Sequence, residues 1–408
     1  MPVKRMVSLG LVLTAAAAWG QGQPAPQRLY LNPGILIGSS RMIALGGAYT
    51  GIGETAYGTT ANIASIATRT RTENGPWQLS PVFNYMFNFG DYDFDNDGSP
   101  DEADVSLQYL VGAQFRWRNL GVGLFLRRNQ LAFCLVASCS LLGPEPRLEL
   151  LLTNPTFSVG YAFLDESLVV SAGLYGVMGD VYGDERVWHY SGFAPEVGVL
   201  VRPKGFPFRV GFAARLEGTG GLQDGYDTTA LSGRTVTQGI VSPGVYSFGL
   251  SFKVGEGAFA YNDLPEMDAP PPSRALDARN PIVDMFRNRD DPKSGRLLVT
   301  LQIDVVTPVR DAVSIPSFVG GTPSAQIGTA TMFTPRFGLE HVTLPGRFRT
   351  RLGGYLEASP YPGNASRLHI TGGTELFLLR LIDDWAATAT FDLANHYYNI
   401  GFSIGTWR

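Results

Sequence analysis

Residues Val105–Arg118 read VSLQYLVGAQFRWR, and their parity decides the fold. Val105, Leu107, Tyr109, Val111, Ala113, Phe115 and Trp117 fall on one parity; Ser106, Gln108, Gly112, Gln114, Arg116 and Arg118 fall on the other. An extended strand sends alternate side chains to opposite faces, so this segment needs an apolar medium on one side and tolerates water on the other. The same alternation runs through Phe208, Val210, Phe212, Ala214 and Leu216, through Leu297, Val299, Leu301, Ile303 and Val305, and through Tyr398, Ile400, Phe402 and Ile404. About fourteen such segments follow one another, most near the length that a tilted membrane-crossing strand requires.

The links between them alternate as well. Tight links such as WRNLG, FLDES, RPKGF, TLPGR and RLIDD take turns with longer polar ones near 90–104, 130–146, 179–194, 217–235, 309–331 and 359–366. Short turns at one end and long loops at the other are the arrangement of an outer-membrane barrel. A soluble β-sandwich also alternates, but its core would not accept a parity rich in Arg and Gly. The sequence therefore predicts an all-β protein: a transmembrane antiparallel β-barrel of about 14 strands, closed over residues 77–408.

The chain opens with MPVKRMVSLGLVLTAAAAWGQGQ, in which Lys4 and Arg5 precede an apolar run and small residues. This reads as a secretory signal peptide over 1–20, with Ala18 a competing cleavage position. With a net charge of −4, 49 Gly, 24 Phe and 17 Tyr, the chain lacks the basic footprint of a nucleic-acid binder. Its two cysteines, Cys134 and Cys139, lie close together, and export makes a local disulfide the expectation, with two free thiols as the alternative. His189, His341, His369 and His396 are dispersed without a catalytic spacing, so no enzyme is expected. The polar parity carries Arg116, Arg209, Arg215, Arg336, Arg349 and Arg351 against Glu340, Glu357, Glu375, Asp304 and Asp384. Charges of both signs facing one another inside a barrel hold a plug in place more often than they bind substrate.

Residues 21–76 do not alternate. SSRMIALGGAYTGIGETAYGTTANIASIATRT is rich in Gly, Ala and Thr, which suits a segment packed closely inside something else. On Arg41, Gly46, Gly47, Ala48, Asn62 and Ala64 the segment resembles the FadL/TodX outer-membrane transporters of hydrophobic compounds and their PorV-type relatives. Those proteins carry R-x-x-x-x-GGA and N-P-A motifs in an N-terminal plug. Ile63 stands where that family has proline, and Glu54 where it usually has aspartate. The resemblance implies a plug within the barrel, residence in the Gram-negative outer membrane among its lipids, and passage of a hydrophobic small molecule. The alternative it implies is a PorV-like docking component of a secretion or surface-assembly machine. The long insertion 256–293, on the short-turn side, would then meet a periplasmic protein. No organic cofactor is implied.

One motif stands apart. Asp93–Asp104 reads DFDNDGSPDEAD, placing Asp93, Asp95, Asp97, Ser99, Asp101 and Asp104 at the ion-facing positions of a calcium loop, with Gly98 at the turn. The flanks alternate like strands, so the loop is expected between the first two barrel strands on the exterior rim. It would bind Ca2+ weakly, or else be a solvated acidic loop.

Overall fold

The computed structural model describes residues 28–31, 34–70, 75–88, 93, 95–98, 103–134, 147–183, 186–223, 237–264, 296–315, 326–380 and 384–406. Fourteen antiparallel strands close the barrel. In chain order they are Trp77–Asn88, Ala103–Trp117, Leu120–Cys134, Arg147–Phe163, Leu168–Tyr182, Arg186–Val201 and Phe208–Arg215, then Val245–Val254, Leu297–Val306, Met332–Leu344, Phe348–Glu357, Arg367–Arg380, Asp384–Ala394 and Tyr397–Thr406. The last pairs with the first, Phe402 opposite Tyr85 and Ile404 opposite Phe83, which leaves the wall without a free edge.

The parity of Val105–Arg118 is the parity of the wall. Val111, Phe115 and Trp117 point out and are exposed, whereas Gln108, Gln114 and Arg116 point into the lumen and are buried. Leu124, Phe157, Leu174, Phe193, Leu301 and Phe333 continue the outward apolar surface around the barrel. A soluble protein rarely exposes so continuous an apolar band, and here lipid is the medium it needs. Trp77 and Trp117 are register partners at one rim, the aromatic placement favoured at a membrane interface. Among the described residues no helix is long and apolar enough to cross a membrane; the strands make the crossing. Heat-modifiable migration on gels, and β-rich circular dichroism only in detergent or lipid, are the expected results. A stable monomer in plain buffer would contradict them.

The end bearing Trp77 and Thr406 carries the short turns; the opposite end carries the long links. Three features differ from the sequence reading or go beyond it. The stretch 179–194 is not a long loop: the strands run to Tyr182 and resume at Arg186, because Val181 and Trp188 pair in register and are buried inside. The first described residues are not at the turn end. Arg28–Tyr30 lies at the loop end, parallel to both Gly239–Val241 and Ala312–Val313, and Arg28 is held by Asp311 and Glu217. The insertion after Val254 does not leave the barrel at once, since Ala258–Asn262 forms a helical turn beneath the lumen. There Asn262 Nδ2 donates to the carbonyls of Pro203, Phe206 and Phe208 at 2.8–3.0 Å. Residues 265–295 lie outside the described residues, as do 1–27 with the signal-peptide region, Cys139 and the side chain of Cys134.

From Arg28 the chain descends through the lumen to Thr70 at the turn end. Among the described residues its one α-helix, Ser40–Ala44, starts on Ser39, whose hydroxyl accepts from Met42 N at 3.2 Å. The helix packs on the strands from Phe348 to Ala394, and the turn Ile63–Ala67 packs on those from Leu120 to Val201, so the plug spans the lumen from wall to wall.

Candidate functional site in the plugged lumen

The plug motif residues are joined to the wall by charge and by backbone contact. Arg41 binds Glu340 through two bonds, Nε to Oε2 and Nη2 to Oε1, both 2.9 Å, the fork geometry that makes an arginine–carboxylate pair specific. Glu340 also accepts from Arg351 Nε at 2.6 Å, and Arg351 reaches across to Glu375. Glu54, the residue that departs from the resembled pattern, accepts from Arg209 at 2.5 Å and from Arg41 at 3.5 Å. Arg209 lies 3.8 Å from the Tyr261 ring and donates to Ile52 O at 3.0 Å.

The backbone of the small-residue stretch is satisfied by wall side chains. Gln302 Oε1 accepts from Tyr49 N at 3.0 Å and Thr50 N at 2.9 Å, and its amide donates to Asp304. Asp304 in turn takes Arg336, which donates to Gly46 O at 3.3 Å. Thr300 and Ser251 donate to the carbonyls of Ala48 and Gly51. Asn62 caps the turn Ile63–Ala67 by accepting from Ala64 N at 3.0 Å, while its Nδ2 donates to Thr50 O and Val199 O. Thus Arg41, Gly46, Ala48, Asn62 and Ala64 lie in one buried network. Gly46 and Gly47 both have left-handed φ, +63° and +76°, but they face different neighbours. A Cβ at 46 would lie 2.5 Å from Gly354 O, whereas at 47 it would meet the Leu36 side chain. Gly46 thus lies against the main chain of the wall, and Gly47 against the side chains of Leu36 and of Arg336 on the wall.

Beside the plug lies a cavity of about 180 Å3. Leu36, Ile37, Met42 and Ala61 form its plug side; Arg127, Tyr175, Glu196 and Arg215 form its wall side. Arg215 lies 4.0 Å and Arg127 5.1 Å from the Tyr175 ring centre. The adjoining wall is locally weakened. Strand pairing runs to Thr153 opposite Met178 and resumes at Thr156 opposite Tyr175. Pro155 has no N–H to give, and Asn154 Nδ2 donates to Gly176 O at 3.0 Å in its place.

Toward the loop end the lumen has two unlike halves. On the strands from Leu120 to Val201 the inward parity turns apolar: Leu131, Leu148, Leu150, Leu152, Val177, Val181 and Trp188 pack on Leu29, Ile35 and Ile240. The opposite half is polar. His369 sits fully buried between Asp392 at 2.7 Å and Glu357 at 2.8 Å, stacked 4.1 Å from Tyr355, so it has partners that no local motif announced. Glu357 also takes Arg367 at 2.8 Å, and Arg367 reaches Asp93 at 3.3 Å.

The acidic loop rests on this polar half. Asp93 Oδ1 and Oδ2 accept from Asp97 N and Gly98 N, and Gly98 adopts φ +90°. Asn96 donates to Glu357 O, Asn364 donates to Asp97 O at 2.7 Å, and Tyr361 donates to Asp95. Burial, reinforced by the charges of Asp97 and Asp93 and opposed by the Tyr361 hydrogen bond, pushes the Asp95 carboxyl up to about 7. Of the six expected ligands, Asp93, Asp95 and Asp97 come together; Ser99, Asp101 and the side chain of Asp104 lie outside the described residues.

No protein-family model matches the chain, and no curated protein matches it in sequence. Solved structures do. The monoaromatic hydrocarbon channel CymD superposes with a TM-score of 0.56 at 11% identity, covering 91% of this chain and 98% of its own. A Pseudomonas aeruginosa FadL homologue gives 0.52 at 10% identity over 93% and 99%. A TodX monoaromatic hydrocarbon channel lacking S2 and S3 gives 0.52 at 11% over 90% and 98%. Across this sequence distance the fold is what is shared: the chain has the plugged barrel fold of the FadL/TodX-type outer-membrane channels.

Proposed function

We propose that this barrel resides in the outer membrane of a Gram-negative cell and passes hydrophobic small molecules through the lumen, around the plug. One observation carries the reading. The inner wall from Leu120 to Val201 is apolar toward the loop end, and this surface leads to the cavity between Leu36, Ile37 and Met42 on the plug and Tyr175 on the wall. An apolar solute gains free energy along such a lining, whereas a hydrated one would lose its water without replacement. The charged residues are otherwise engaged: at the cavity wall Arg127 and Arg215 lie against the Tyr175 ring and Arg215 pairs with Glu196 at 3.5 Å, while those around Arg41, Glu54 and Glu340 hold the plug. The interrupted ladder at Pro155, beside the cavity, supports release sideways into lipid as well as into the periplasm.

The test is uptake of small aromatic and aliphatic hydrocarbons into proteoliposomes, with a sugar as control solute. Hydrocarbon entry above empty vesicles is expected, with the sugar excluded. Ala61→Phe fills the cavity without adding charge and should cut hydrocarbon entry by about tenfold, the factor that roughly 1.4 kcal/mol sets. Entry equal to that of empty vesicles, or entry unchanged by Ala61→Phe, would refute the reading.

A further inference from the structure

We propose that Asp93, Asp95 and Asp97 bind a single calcium ion at the loop end of the barrel. One carboxylate oxygen from each lies within 4.8 Å of the other two, the separation that ligands around one ion take. Proximity of acids alone would not make a site, and two further observations do. Asp95 is 4% exposed; its Oδ2 takes the Tyr361 hydroxyl, while Oδ1 is buried with no hydrogen-bond partner among the described residues. A buried carboxylate oxygen left bare is costly and is ordinarily met by a donor or a cation.

The second observation is the charge around the cluster. Asp93, Asp95 and Asp97 are followed inward by Glu357 and Asp392, and among the described residues the basic side chains bonded to this set are Arg367, which serves Asp93 and Glu357, and His369, which lies between Glu357 and Asp392. Asp95 is left without a bonded cation among the described residues. A divalent ion at the three carboxylates redresses the balance at the place where it is worst. Access is provided by the open cleft of about 520 Å3 formed by Asp93, Asn96, Asp97, Asn364 and Arg367, which leaves room for coordinated water.

Calcium is favoured over magnesium because the ligands belong to a flexible carboxylate-rich turn. Magnesium demands tight octahedral geometry and gives up its water reluctantly. Asp95 and Asp97 would then be held against Tyr361 and Asn364. The inference stands independently of what crosses the lumen.

Full-length protein in detergent, stripped with chelator, is titrated with calcium chloride and separately with magnesium chloride by calorimetry. Calcium is expected to give a saturable one-site heat with Kd of about 10⁻⁴–10⁻³ M, the range of extracellular modules, and magnesium to bind at least about tenfold more weakly. Terbium supplies a local readout: its luminescence, excited through Tyr361, should fall on adding calcium and vanish in Tyr361→Phe. Asp95→Asn and Asp97→Asn should each weaken calcium binding by about tenfold or more while heat-modifiable migration persists, which separates lost binding from lost folding. No saturable calcium heat in folded protein, equal binding of magnesium, or binding unchanged in either variant would overturn the site.

Discussion

Glu340→Gln is expected to destabilise the plugged barrel by about 3–5 kcal/mol, the cost of removing one partner from a buried ion pair. The substitution keeps the size of the side chain and removes the charge on which Arg41 and Arg351 converge. Arg351 retains Glu375, but Arg41 is left with Glu54 at 3.5 Å, a bond that Glu54 already shares with Arg209. Arg41 is 3% exposed, so its guanidinium stays buried and underpaired. The plug should therefore detach from the wall before the wall itself unfolds. The measurement is the urea midpoint in detergent micelles, together with protease sensitivity of the plug. Arg41→Met combined with Glu340→Leu should recover part of the loss, because an apolar pair of similar volume needs no compensation. Asp165→Asn, which breaks the exposed pair with Lys204, serves as the control and should leave the midpoint unmoved. A midpoint for Glu340→Gln within a few tenths of a molar of the parent would mean that the pair does not hold the plug.

That network marks where sequence reading stops. The wall was legible because its signal is local: alternation in Val105–Arg118 needs no knowledge of any other strand, and the outward exposure of Val111, Phe115 and Trp117 follows from it. Charges of both signs on the inward parity were legible for the same reason. Which carboxylate meets Arg41 was not, since Glu340 is 299 positions away and the pairing is made by closure of the barrel. The apolar half of the mouth was hidden differently. Leu148, Leu150 and Leu152 alternate with Glu149, Leu151 and Thr153, and an apolar parity in a barrel strand reads as the lipid face whichever way it points. The strands meeting at Tyr182 and Arg186 were mistaken for a loop because Asp180, Gly183, Asp184 and Glu185 look like turn punctuation, while Val181 and Trp188 carry the pairing. His369 sits in a run with a clear period of two, RLHITGG, which places it inside; its partners Asp392 and Glu357 come from neighbouring strands.

Gly211→Val should have the other large effect, and it distinguishes a plug that fits its barrel by backbone contact from one held by charge alone. Gly211 and Gly249 are register partners on adjacent strands, and both face the plug at Thr50 and Gly51. A Cβ built on Gly211 collides with the Thr50 carbonyl, and one built on Gly51 lies 2.7 Å from Gly249 C and Leu250 N. In each case the obstacle is main chain, which cannot swing aside as a side-chain tip can. Overpacking of this kind costs about 1–3 kcal/mol and more where nothing yields. The wall can keep its ladder, because residue 211 still offers its N–H and C=O to the neighbouring strands. The plug must yield instead, giving up the bonds from Gln302 to Tyr49 and Thr50 and from Ser251 to Gly51. The expected outcome is a barrel that assembles and shifts on heating like the parent but conducts ions steadily in planar bilayers. Gly221→Ala, with nothing within 4 Å of the added carbon, should stay closed. Substituting Gly47 should be milder in packing, since its new atom would meet the Leu36 side chain, although φ of +76° adds backbone strain. If Gly211→Val stays as closed as Gly221→Ala, close backbone contact is not what seats the plug, and the ion pairs around Arg41 must hold it alone.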